Sequence, residues 1–429
     1  QAASSGTRKH PMATTTVGAA DSKTISQPSQ AAAPKWTRIG TPTYTKARIA
    51  LFLLGFASFS MIYCVQPLLP QFTSSFGISP ANSALALSLT TGSLAVSIVL
   101  SSAFSQVLGR KKLMFVSMFI ASILNIATAL THDWNTLVAL RALEGFVLGG
   151  VPAVAMAWVA EEIHPDDMAK AIGVLIAGNA FGGMMGRVGM GLLLEYFSWQ
   201  VAMGTLGVLC LAASLGFLAL LPNSQNFVAQ KHFQMGFHLK AWGSHLQNPR
   251  LLRLYALGFL ITSVFVTTFN YMTFRLSGEP YALSPTQISW LFLCYNIGMV
   301  ASATAGSLGK RYGQKHIVIL GFVLMLLGVW VTLLSGLPAI IVGIALVTFG
   351  FFIAHAIVSS MVGFEAKTNK GHASSLYLLF YYLGSSIVGS IGGWFWLNGG
   401  WLAIVALASV LCLIAMALSQ LKIGGKTTA

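Results

Sequence analysis

Charged side chains are scarce in this chain. Asp, Glu, Lys and Arg make up 8% of its 429 residues, against roughly 25% in an average soluble domain. Acids are scarcer still, with only ten Asp and Glu in all. A soluble protein that is 55% hydrophobic could not hide so much apolar surface in one or two cores, so the solvent for most of this chain is lipid. Cysteine is rare too. Cys64, Cys210, Cys294 and Cys412 all fall inside apolar runs, which implies no disulfide framework and reads them as small packing residues. Metal-ligand spacings, a nucleophile elbow, a P-loop and a dinucleotide fingerprint are all missing. Gly149, Gly150 and the other glycines sit in apolar helix, where they cannot cradle phosphate as a loop would. An enzyme and an ATP-driven pump are therefore unsupported, and no cofactor or metal is expected. Energy has to come from a gradient.

What the chain does have is long apolar runs at regular spacing, each near the ~20 residues that a helix needs to cross hydrocarbon. Twelve are expected, at 48–70, 81–104, 112–131, 135–160, 169–196, 200–221, 252–275, 286–308, 316–336, 338–361, 373–397 and 400–421. They lack two-residue alternation and are about twice the length of a barrel strand, which excludes a β-barrel.

The net charge of +15 invites a nucleic-acid reading, but its distribution argues against one. With the N-terminus in the cytoplasm, basic residues fall in the N-terminal tail (Arg8 to Arg48), the 2–3 loop (Arg110, Lys111, Lys112) and the 6–7 loop (Lys231, Lys240, Arg250, Arg253). They continue in the 8–9 loop (Lys310, Arg311, Lys315), the 10–11 loop (Lys367, Lys370) and the C-terminal tail (Lys422, Lys426). The opposite loops contribute only Arg275. This asymmetry follows the positive-inside rule and predicts that both termini are cytoplasmic. No compact basic face exists for nucleic acid.

Residues 1–45 are rich in Ala, Ser, Thr and Pro and hold a single acid, Asp21, so a disordered N-terminal tail is expected there. The segment has no apolar h-region and is not a secretory signal. Its shortage of acids resembles a transit peptide, and a non-native leader over residues 1–11, ahead of Met12, fits equally well. The first span is expected to double as the insertion signal.

An internal repeat organises the remainder. The 2–3 loop reads SAFSQVLGRKKLM and the 8–9 loop GSLGKRYGQKHIV, with Gly109 and Gly313 separated by 204 positions. Gln66 and Asn270 share that offset, while Ala171 and Gly182 meet Ala373 and Gly384 at 202. The division expected is a bundle of six helices at 46–221, a cytoplasmic linker at 222–250, a second bundle at 251–422 and a tail at 423–429. Two such halves make a transporter architecture, with the substrate site near mid-membrane between them.

At these residues the chain resembles the major facilitator superfamily. The family's first signature, G-x-L-a-D-r-x-G-r-k, is similar to the stretch from Ser102 through Gln106 and Gly109 to Arg110 and Lys111. Its second copy runs from Gly306 through Lys310, Arg311 and Gly313 to Lys315. Physically, glycine supplies a tight turn while cations hold the cytoplasmic face. The resemblance makes Gln106, Gly109, Arg110, Lys310, Arg311 and Gly313 conformational-gate loops, although Gln106 and Lys310 stand where the family carries an acid that locks one state. Arg141-Ala-Leu-Glu144-Gly145 is similar to R-x-x-q-G of the fourth span. Gly173, Gly182, Gly186 and Gly191 resemble the fifth-span motif associated with antiporters, with Arg187 in place of the usual proline. EEIHPDDMA, FGGMMGR and SSLYLLFYYLGSS look like bacterial inner-membrane members of the arabinose-efflux-like and drug:proton antiporter branch. From residue 45 onward, the resemblance implies an all-α membrane protein with the major facilitator fold, twelve transmembrane helices in two pseudo-symmetric six-helix bundles.

Few ionisable groups lie within the hydrocarbon. Glu144 is the one acid well inside a span, three residues from Arg141 on the same helical face. Helix rise places Glu144 and Arg187 at a similar depth, about 15 Å from the outer ends of their helices. Spans 4 and 5 are thus expected to bring one carboxylate between two guanidiniums, either as a proton-coupling cluster or as a permanent structural pair. An unpaired arginine would instead favour an anionic substrate. His355 in span 10 is the other titratable candidate, against the blander reading of a packing histidine. Tyr63, Gln66, Asn179, Asn270, Tyr271, Tyr295, Asn296, Tyr377 and Tyr381 are the expected substrate-binding residues. Taken singly, each of them reads as an interface anchor or helix joiner. As a set, they suit a mostly apolar cavity with a few placed polar groups.

The expected activity is secondary active export of a small molecule such as a drug-like compound, sugar or metabolite. It would proceed by alternating access and proton antiport, from a monomer in the bacterial inner membrane whose partners are substrate, protons and lipid. The rivals are a proton-coupled importer of a sugar or organic anion, and a non-transporting membrane sensor.

Overall fold

The computed structural model describes residues 35–227 and 234–421, almost all of them helical. Among the described residues, eleven helices are long and apolar enough to span a membrane. They are Pro42–Phe76, Pro80–Leu108, Arg110–Leu130, Trp134–Glu162, Pro165–Tyr196, Trp199–Leu220, Pro249–Ser277, Pro285–Tyr312, Gln314–Val331, Leu337–Glu365 and Lys370–Gln420. At 51 residues the last is too long for a single crossing. It joins two spans at Gly400, whose φ of 57° and ψ of −146° break the helix. The architecture therefore has twelve spans, in the expected order.

Local chemistry explains where these helices start. At Thr41–Pro42, Ser79–Pro80, Asn248–Pro249 and Ser284–Pro285, a side-chain oxygen accepts a hydrogen bond from a first-turn amide. The proline sits where its missing N–H would have had no partner. Asp133 caps span 4 similarly, and the Thr136 amide and hydroxyl hold its carboxyl below the usual carboxylate range. Span 1 is interrupted. Pro67 cannot donate to a carbonyl four residues back, and the helix Pro42–Tyr63 gives way to a 3-10 turn over Gln66–Leu68 before Leu69–Phe76 completes the crossing.

The repeat read from the sequence is visible in packing. Spans 1 and 5 approach so closely that a Cβ at Gly182 would collide with the Phe56 backbone, and Ser60 donates to the Gly182 carbonyl at 2.9 Å. Spans 7 and 11 repeat this, with Gly384 against Phe259 and the Thr262 hydroxyl on the Tyr381 carbonyl at 2.5 Å. Gly109 and Gly313 adopt nearly the same turn, with φ of 88° and 91° and ψ of 140° and 133°. Only glycine reaches that conformation without strain.

The first six spans meet the last six chiefly through spans 2 and 11 and spans 5 and 8. Their shared hydrogen bonds lie in the half of the molecule away from the basic loops. Ser386 donates to the Ser88 carbonyl at 2.6 Å, Thr286 to the Gly191 carbonyl at 3.3 Å, and Gln66 to Asn270 at 2.7 Å.

One expectation is corrected here. Residues 35–41 belong to the segment read as a disordered tail, yet they lie along the turn between spans 4 and 5. Thr37 bridges Ile163, and Lys35 exchanges hydrogen bonds with Asn226 at 2.9 and 3.2 Å. These contacts join segments far apart in sequence and leave no mark in the composition of the tail. Helix 1 also begins earlier than expected, at Pro42. The expected tail up to residue 34, Lys231 and the tail at 423–429 lie outside the described residues.

Candidate functional site

The groups expected to form one charge cluster occupy three separate places. Arg141 and Glu144 are fully buried and paired at 2.6 Å. Glu144 also accepts from Asn125 of span 3 at 3.1 Å. Arg141 donates to the carbonyls of Met61 at 3.0 Å and Ile62 at 2.8 Å, next to the break in span 1, and to the Ala86 carbonyl at 3.3 Å. The guanidinium thus serves backbone oxygens that the interrupted helix leaves open, while Glu144 balances its charge. Together they staple spans 1, 2, 3 and 4.

Arg187 is not part of that staple, which corrects the expected carboxylate between two guanidiniums. Helix rise fixes depth but not the neighbour a side chain meets. Arg187 is 2% exposed and faces the seam between the two sets of spans. Its Nε donates to Gln66 Oε1 at 2.7 Å and one terminal nitrogen donates to the Gly183 carbonyl at 2.6 Å. Aromatic rings surround it, with Tyr63 at 4.2 Å, Tyr295 at 4.8 Å and Phe292 at 5.1 Å. Among the described residues it forms no ion pair. A buried cation in this setting is costly, and cation–π contacts offset that cost without neutralising the charge.

The polar chain continues from Arg187 in one direction. Gln66 accepts from the guanidinium and donates to Asn270 Oδ1, and the Asn270 amide nitrogen is buried without an acceptor. The Asn270 amide is thus a buried donor at the end of the polar chain that begins at Arg187. Tyr63, Gln66, Asn270 and Tyr295, four of the expected binding residues, come together here.

His355 forms the third place. It shares a hydrogen bond with the Tyr377 hydroxyl at 2.8 Å, lies 4.7 Å from the Tyr381 ring and stacks on Phe351. Other expected binding residues fall elsewhere. Tyr271 donates to the Gly389 carbonyl at 2.8 Å and joins spans 7 and 11. Asn179 packs against Gly55 between spans 5 and 1. Asn296 is exposed and bonds to the Leu293 carbonyl of its own turn. Each of the three satisfies a local helix contact instead of joining the seam.

At the basic end, Arg110 pairs with Glu161 through bonds of 2.7 and 3.2 Å and also donates to Ser105. The acid of this network thus comes from span 4, while Gln106 keeps a buried, unpartnered oxygen. Lys310 and Arg311 are exposed, and Arg311 lies 5.2 Å from the Tyr312 ring.

Sequence reasoning missed Phe292, Phe351, Phe352 and Asn125. Phenylalanine in a span looks the same whether it faces lipid or a seam, and Asn125 has no motif around it.

Comparison with known proteins agrees with this architecture. A family model described as Major Facilitator Superfamily matches residues 51–281 and 276–424. The Bacillus subtilis (strain 168) protein named as an uncharacterized MFS-type transporter, YybF, is 42% identical over 384 residues, covering 90% of this chain and 95% of its own. The Escherichia coli (strain K12) inner membrane transport protein YnfM is 39% identical over 412 residues, covering 94% and 96%. Among solved structures, a bacterial homolog of the human lysosomal transporter Spinster, in an inward-facing and occupied conformation, superposes with a TM-score of 0.70. It is 13% identical and covers 88% of this chain and 96% of its own.

Proposed function

The chain belongs to the major facilitator superfamily, and from that premise we propose that it exports a small organic anion in exchange for protons by alternating access. It is a multi-pass membrane transporter, not an enzyme. The observation that carries the proposal is Arg187, a buried cation at the seam with no carboxylate partner among the described residues. An incoming carboxylate would supply the missing charge and accept from the guanidinium, with the Asn270 amide as a second donor.

The outward direction rests on the resemblance of span 5 to the antiporter-associated motif. Placement in the inner membrane follows the relative named for that location, and cytoplasmic termini follow loop charge. On this reading the basic end is cytoplasmic and the joined end external. The moving bodies are 46–221 and 251–422, connected by 222–250, in a protein acting as a monomer.

Proton coupling is assigned to His355 in preference to Glu144. Glu144 is held by Arg141 and Asn125, and protonating it would strand a buried guanidinium. His355 meets only Tyr377, Tyr381 and Phe351 among the ring and hydrogen-bond contacts just described, so a proton arriving there breaks no ion pair. The test is flux of a panel of organic anions in everted vesicles with Arg187→Gln and Arg187→Lys. We expect Arg187→Gln to lose anion flux and Arg187→Lys to keep part of it. Full activity in Arg187→Gln would refute the proposal.

A further inference from the structure

Resting on that anion reading, we propose that the transported anion is an aromatic carboxylate, its acid group on Arg187 and its ring laid against the aromatic surface of spans 8 and 10. From the guanidinium, a continuous series of rings leads into the second half. Arg187 lies 4.8 Å from the Tyr295 ring, Tyr295 meets Phe352 edge-to-face at 5.6 Å, and Phe352 meets Phe351 at 5.0 Å and 90°. Phe351 then stacks on His355, which approaches Tyr381. Span 1 adds Tyr63 on the other side of the cation.

Most of these rings are consumed by packing, but Phe352, His355 and Tyr381 are only half-buried. Phe352 is also held in place. It lies directly over Gly298 of span 8, where any Cβ would collide with its ring. A fixed, partly open aromatic face beside an unpaired guanidinium is suited to a planar guest. Aromatic rings pair at centroid separations of roughly 4.5–7 Å, and each such pair is worth about 3- to 10-fold in affinity. An aliphatic chain would bury there as well, but without the edge-to-face complement.

The test titrates the detergent-purified full chain with benzoate, cyclohexanecarboxylate and benzamide, and repeats the series on Phe352→Leu and Arg187→Gln. Wild type should bind benzoate at least tenfold more tightly than cyclohexanecarboxylate. Phe352→Leu should shrink that preference to about threefold or less while still binding both acids, and its fold is checked by an unchanged melting profile. Equal binding of the two acids by wild type would overturn the aromatic assignment and leave the anion reading standing. Benzamide binding as tightly as benzoate, or benzoate binding unaffected in Arg187→Gln, would overturn both. So would no binding of either acid.

Discussion

Arg141 and Arg187 are both buried arginines, and the structure gives them opposite consequences. Arg141 is compensated by Glu144 at 2.6 Å and occupied by three backbone carbonyls. Removing its partner leaves a buried uncompensated charge, so Glu144→Gln should lower stability by about 3–5 kcal/mol, read as a large fall in melting temperature. A wild-type melting temperature for Glu144→Gln would contradict the staple. Arg187 has no carboxylate to balance its charge among the described residues, and its cation–π contacts offset only part of the cost of burial, so Arg187→Gln should melt at or above the wild-type temperature while losing anion binding. His355→Asn should retain anion binding but lose the dependence of flux on a pH gradient, measured in proteoliposomes. Retained dependence would exclude His355 as the coupling group. The sequence announced all of these side chains, because ionisable residues in apolar spans are few. It did not disclose which face each one shows, since helical depth alone cannot separate a group serving spans 1 and 3 from one serving span 8.

At the scale of elements, the twelve spans and the repeat were legible because run length, loop charge and a constant offset are all linear properties. Gly109 and Gly313 bear this out with nearly matching turns at φ 88° and 91°. Alanine at either position should cost about 1–2 kcal/mol, and the two losses should be similar. A loss at one position alone would mean that the turns are not equivalent. The interruption of span 1 was not read, although Pro67 lies inside the run expected at 48–70. A single proline is tolerated in many membrane helices when neighbours re-satisfy the backbone, and here the neighbour is Arg141, 74 positions along the chain. The docking of residues 35–41 was equally silent, because its partners, His164, Asp167 and Asn226, lie 126 to 191 positions away with no motif linking them.

For the whole molecule, the hydrogen bonds that join the halves define a joined end away from the basic loops, and on the proposed reading substrate enters from the basic end. A Cβ at Gly92 would lie 3.4 Å from that of Ser386, close to the spacing of a disulfide. Gly92→Cys with Ser386→Cys, in a background lacking Cys294, should therefore cross-link on mild oxidation and arrest transport until reduced. Failure to cross-link would contradict the arrangement of spans 2 and 11. Energetically, one-for-one exchange of an outgoing anion for an incoming proton moves the equivalent of about two positive charges inward, each worth ~2.3 kcal/mol per 100 mV. Both parts of the proton gradient then drive export.

That claim meets its most direct test in proteoliposomes loaded with labelled benzoate, with protein orientation established by protease accessibility. A pH gradient and a potential are imposed separately, on wild type and on Arg187→Gln. The account predicts benzoate flux that rises with each gradient in wild type and falls to the protein-free level in Arg187→Gln, although that variant remains folded. Wild-type flux in Arg187→Gln, or flux indifferent to both gradients, would contradict it.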